Sequence, residues 1–285
     1  MFIFKETERF SKETLTLYAK ELYQGAFDAN QYFLLMQQYK QHRQNHLAEI
    51  RLSPAFYGVV YEALQKSCFM EIAKLYDRSS DVISIGFLLK ACQENISLFP
   101  EYRNHFTITD DGKEYSFPIP YQHQLKPEEE LFFKDQVESQ RIIFKALHVS
   151  SPETSPVTID LTFQEFLELY RNRFHSLKKK QSNVQVQRNK IYAHNGQQRV
   201  ENIDSVLKKN PITYPDIQEL IDFALDCSGL ILGILTGEVN ARQYANINDW
   251  DNTLWFAQLG LKYQEYDLKQ KLDGIEPMNP ERANI

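Results

Sequence analysis

Between Arg171 and Val200 the charged side chains are Arg171, Arg173, Lys178, Lys179, Lys180, Arg188, Lys190 and Arg199, without one Asp or Glu. The whole chain is acidic, with 38 acidic against 32 basic residues and a formal net charge of −6, so this basic run is a local departure. On a helix it lays cations along several turns, and phosphates bound along such a stripe release counterions, which is the usual footprint of nucleic-acid binding. The plainer reading is a solvated helix face.

The run ends in Arg188-Asn189-Lys190-Ile191-Tyr192-Ala193-His194-Asn195. An imidazole, with an unperturbed pKa of about 6.5, keeps both protonation states available near neutral pH and suits proton transfer. A guanidinium is always charged and presents a planar fork of donors, which suits a phosphate and the negative charge that builds on it during reaction. On a straight α-helix Arg188 and His194 point about 120° apart and lie about 9 Å apart along the axis. Asn195-Gly196 is a good helix terminator and would let the His194 turn splay toward the arginine. A place near a helix carboxyl end favours the imidazolium form by about 0.3 to 2 kcal/mol, which suits an acid slightly better than a base.

Arg-x5-His with a polar residue after the arginine resembles the ribonuclease motif of the HEPN superfamily. Lys190 two places after Arg188 and the Ala193-His194 pair resemble its abortive-infection U-type branch in particular. Ile72-Ala73-Lys74-Leu75-Tyr76-Asp77, followed by Ile83-Ser84-Ile85-Gly86-Phe87-Leu88-Leu89, is similar to the same branch, so the resemblance extends over most of the chain. It implies an all-α, HEPN-like helical bundle with additional flanking helices. It also implies a metal-independent endoribonuclease with no cofactor, in which a ribose 2′-hydroxyl attacks the neighbouring phosphate and leaves a 2′,3′-cyclic end. In that chemistry His194 is the general acid or base, Arg188 the phosphate clamp, and Asn189 orients the phosphate or the arginine. Candidate RNA contacts are Arg173, Lys178, Lys179, Lys180, Lys190 and Tyr192. The resemblance further implies a homodimer that brings two motifs into one cleft, and a role in bacterial phage defence, by abortive infection or a toxin–antitoxin pair, with an antitoxin or companion protein as a further partner. The residues leave a second reading open, a non-catalytic dimeric RNA- or protein-binding module in which Arg188 and His194 are a structural pair.

The elements that must position these side chains read as helices, because glycine and proline are few and clustered and apolar residues recur every three or four positions. Expected helices run over 10–24, 28–50, 55–76, 82–98 and 126–147, with Phe133, Val137, Phe144 and Leu147 as the buried side of the last. Thr162-Phe163-Gln164-Glu165 matches a capping box and opens one long helix or a pair, with Phe163, Leu167, Tyr170, Phe174, Leu177, Val184 and Ile191 as its apolar seam. Thr213-Tyr214-Pro215 begins a helix that stops at Gly237, and a last one covers 249–272. The reading is one domain over 1–285: N-terminal helices in 1–100, a loop or small hairpin in 101–125, the motif-bearing core in 126–240 and a terminal helix and tail in 241–285. Asp110-Asp111-Gly112 and the prolines at 118 and 120 are the reason for the hairpin alternative.

Cys68, Cys92 and Cys227 are odd in number, far apart and set in apolar stretches, so they read as buried thiols of a reducing compartment. His42 and His46 stand one turn apart near Glu49, without a third ligand cluster, and no metal is expected. Asp77 reads as a helix-end residue. No apolar run reaches the roughly 20 residues of a membrane span, so the expectation is a cytoplasmic protein without membrane contact.

Overall fold

A computed structural model describes residues 10–99, 103–110, 113–124, 158–192, 197–238, 240–247 and 249–274, together with 130, 134, 137, 138 and 141. It is predominantly helical, as the apolar period requires. Helix α1 covers Lys12–His42, α2 Leu47–Leu52, α3 Pro54–Leu75 and α4 Ile85–Glu94, with a 3-10 turn over Ile96–Leu98. Strands β1 (Arg103–Asp110), β2 (Lys113–Gln124) and β3 (Thr158–Leu161) follow, then α5 (Phe163–Ser176), α6 (Lys178–Gln187), a π-helical turn (Arg188–Tyr192), α7 (Gln197–Lys209), α8 (Tyr214–Thr236) and α9 (Asp249–Leu272).

The two helices expected before residue 50 are one helix as far as His42. Gly25 does not break it, because Gln24 Nε2 donates to Asp28 Oδ1 at 2.9 Å across that turn and a Cβ on Gly25 would make ordinary contact with Leu75. The expected helix over 126–147 lies largely outside the described residues. Within it Lys134, Val137, Glu138 and Arg141 are helical, Val137 is buried, and Arg141 pairs with Glu130 at 2.8 Å.

The segment before it forms a hairpin. Asp110 pairs with Lys113, as an Asp-Gly turn signal demands, and the antiparallel register runs back to Arg103 opposite Pro120. β3 adds a third antiparallel strand, with Tyr121 opposite Leu161 and Gln124 opposite Thr158. β3 pairs only from Tyr121 onward, so Pro118 and Pro120 lie where β2 has β1 alone as its neighbour, which is where proline, lacking a donor, is tolerated.

The fold divides into two compact units, one of Met1–Tyr23, Tyr76–Lys179 and Phe223–Asn240, the other of Gln24–Leu75, Lys180–Asp222 and Ala241–Ile285. In the first, α4 packs on α5: Gly86 lets Phe174 approach so closely that a Cβ would stand 3.0 Å from its ring, and Phe99 stacks on Phe163 with centroids 3.9 Å apart. Thr162 caps α5 through a reciprocal box with Glu165, as its spacing predicts. In the second unit, Phe33, Met36, Ile72, Leu75 and Leu220 are fully buried, and the π turn packs against α3 and α7. Among the described residues no helix is long and apolar enough to cross a membrane.

Candidate functional site

Helix α6 is weak in apolar residues and is held largely by polar ones. Lys180, Asn183 and Gln187 follow one another at helical spacing and bind the same stretch of chain. Lys180 Nζ pairs with Asp216 at 2.7 Å and also with Glu219, Asn183 donates to the Pro211 carbonyl at 2.6 Å, and Gln187 donates to the Asn210 carbonyl at 2.6 Å. Gln181, Asn183 and Gln187 are buried, which for amides requires such partners. Burial would raise the Asp216 carboxyl, but the bonds from Lys180 and Thr213 outweigh it and hold the group at about 2. These ties fix the roll of α6 just before the motif.

The motif itself opens as a π turn. The 120° separation expected between Arg188 and His194 belongs to α geometry and does not describe Arg188–Tyr192, whose wider turn is a form frequent at functional sites. Ile191 is buried, and Tyr192 packs its ring on Phe69 with centroids 4.8 Å apart. Burial pushes the Tyr192 phenol up to about 12, so it is neutral at physiological pH. Asn189 and Lys190 are exposed and Arg188 is half-buried. Arg188 Nη1 donates to Asn189 Oδ1 at 2.8 Å, while its buried Nε meets no acceptor among the described residues. Beside the turn, Lys66, Phe69, Ile191, Tyr192, Leu207 and Tyr214 contribute to the wall of a cleft of about 740 Å³. His194 lies outside the described residues.

The structure thus joins Arg188 with Asn189, puts Lys190 in solvent on the same turn, and turns Tyr192 inward. The candidate phosphate-binding cations separate by role. Lys178 and Lys179 are exposed. Lys180 is committed to Asp216 and Glu219, which raise its pKa, and it serves as a strut of its unit rather than as a free cation on the stripe. Arg173 lies over the rings of Tyr170 and Phe223, at 5.6 and 5.7 Å from their centroids. Sequence reasoning missed Gln187 and Asn183 as positioning residues. A glutamine or asparagine on a polar helix carries no sign that its partner is a carbonyl more than twenty residues away.

Asp77 Oδ1 accepts from the backbone and hydroxyl of Ser79 at 2.9 and 2.7 Å, closing the turn after α3. Rings of His42 and His46 are 6.5 Å apart, and no group of three His, Cys, Asp or Glu suited to a metal occurs among the described residues. The three cysteines are buried thiols, and desolvation raises Cys68 and Cys92 to about 12.

The protein is therefore a helical one whose arginine-led motif sits on a π turn braced by buried amides. The AbiU2 family model, of the HEPN class, matches residues 12–253, a stretch that spans both compact units and the motif. The chain belongs to that family and carries its abortive-infection-related HEPN domain. No curated protein and no solved structure matches it significantly.

Proposed function

We propose that this protein is a metal-independent endoribonuclease acting in bacterial phage defence, of the abortive-infection or toxin–antitoxin kind. One observation carries the reading: Arg188, the arginine of an Arg-x5-His motif in an HEPN chain, is held by Asn189 on a π turn whose Asn189 and Lys190 side chains are exposed.

The chemistry follows from the groups. A ribose 2′-oxygen forms a bond to the adjacent phosphorus, the bond to the 5′-oxygen breaks, and a 2′,3′-cyclic phosphate remains on one product. One proton leaves the 2′-hydroxyl and one reaches the departing 5′-oxygen. His194 as imidazolium gives its proton to the departing 5′-oxygen, the 2′-hydroxyl proton passes to water, and the neutral imidazole is reprotonated from solvent before the next cycle. Arg188 neutralises the charge gathering on the phosphorus oxygens, and Asn189 keeps its fork oriented. Lys178, Lys179 and Lys190 extend the cationic surface for the strand. The working form is a cytoplasmic homodimer, with RNA as substrate and a companion protein holding it inactive.

Incubation with total RNA in EDTA tests this. Fragments ending in 2′,3′-cyclic phosphate are expected from the wild-type protein and not from His194→Ala. Intact RNA in both samples, or cleavage that stops on chelation, would refute the proposal.

A further inference from the structure

Helix α9 buries Leu254 completely near its start and then turns outward. Phe256, Leu259, Tyr263 and Tyr266 are 64, 41, 46 and 48% exposed, and their spacing of three, four and three residues is that of alternating a and d positions in a heptad. Trp255 flanks them and is half exposed. The family-matched stretch ends at residue 253, so nothing in that match implies this seam.

The neighbouring positions say what covers it. With Phe256 and Tyr263 at a, the g positions are Trp255, Lys262 and Lys269, and the e positions are Gly260 and Asp267. In a parallel pair a g residue faces the e residue of the next heptad on the other helix. Lys262 then meets the partner's Asp267, and Trp255 meets the partner's Gly260, where nothing lies within 4 Å of the place a Cβ would occupy. An antiparallel pair sets g against g, lysine against lysine. Asp267 already accepts from Lys271 at 2.7 Å, and a carboxylate has capacity for a second donor. With about 150 to 250 Å² per aromatic side chain, the exposed parts of the seam and Trp255 come to roughly 500 Å² per copy. A symmetric pair that covers the whole seam buries roughly 1,000 Å², about the floor for a biological interface.

We propose that the Phe256–Tyr266 face of α9 forms a parallel two-stranded coiled coil with a second copy of this chain. The contact is independent of any ribonuclease activity. Sedimentation equilibrium of the full-length protein at micromolar concentration is expected to give a dimer. Leu259→Lys and Tyr266→Glu should each weaken it at least about 10-fold, with unchanged circular dichroism. Lys262→Glu should weaken it less, and adding Asp267→Lys should restore it. Gln270→Cys, at the next a position, should cross-link two chains under oxidation, since the native cysteines are buried. A monomeric wild type would overturn the proposal, as would a dimer indifferent to Leu259→Lys. A dimer that forms while Gln270→Cys fails to cross-link would overturn the parallel register.

Discussion

Arg188→Lys keeps the charge but removes the planar fork that grips Asn189 and, in the proposed reaction, clamps the phosphate. Cleavage is expected to fall by about 10- to 100-fold, with a smaller effect on the thermal midpoint because lysine keeps the charge of this half-buried side chain. Equal activity in the lysine variant would show that point charge alone suffices. Gln187→Ala behaves in the opposite way. It strips the Asn210 carbonyl of its buried donor, so it should cost about 1 to 3 kcal/mol in urea unfolding, and an unaltered midpoint would remove Gln187 from its positioning role. The difference explains what the sequence could disclose here. Arg188 and Asn189 announce themselves through residue type and spacing, because their chemistry is local. Gln187 and Asn183 act through carbonyls at 210 and 211, and that pairing exists only once α6 has docked.

Among the helices, the Lys180–Asp216 tie yields a pH signature. Asp216 is held at about 2, below its ordinary value of 3.8, so its contribution is fully present above about pH 4 and is lost as pH falls through about 2. The stability advantage of the wild type over Asp216→Asn should therefore shrink between those limits, and a constant gap would contradict the assignment. In α8, Gly229→Ala would press a Cβ to 2.8 Å from the Tyr23 ring and is expected to cost about 1 to 3 kcal/mol by calorimetry; a neutral result would mean that Tyr23 yields. Most element types were readable because their signals are short-range: the Thr162–Glu165 box, Thr213 before α8, and Gly237, which adopts φ 77° where the helix stops. Helix α7 is weakly marked, because Val200, Ile203 and Val206 have helical spacing but follow the Asn195-Gly196 stop with no capping box of their own. The continuity of α1 and the attachment of β3 depend on neighbours that local patterns do not name.

Across the whole molecule, a net charge of −6 gives RNA little general attraction, so the proposed RNA binding rests on the basic stretch. Lys178→Gln and Lys179→Gln should each reduce the slope of log affinity against log salt by about 0.7, whereas Lys180→Gln should leave the slope unchanged and lower stability instead. A slope that responds to Lys180 as to its neighbours would mean that its ion pairs open on binding. The most direct measurement is the single-turnover rate on a short RNA in EDTA, for the wild-type protein and for His194→Ala of equal thermal midpoint. Loss of an acid–base group costs about 10² to 10⁴-fold, and a drop of that size, with 2′,3′-cyclic ends on the residual product, is the predicted result. Equal rates in the two proteins, or no cleavage by the wild type, would contradict it.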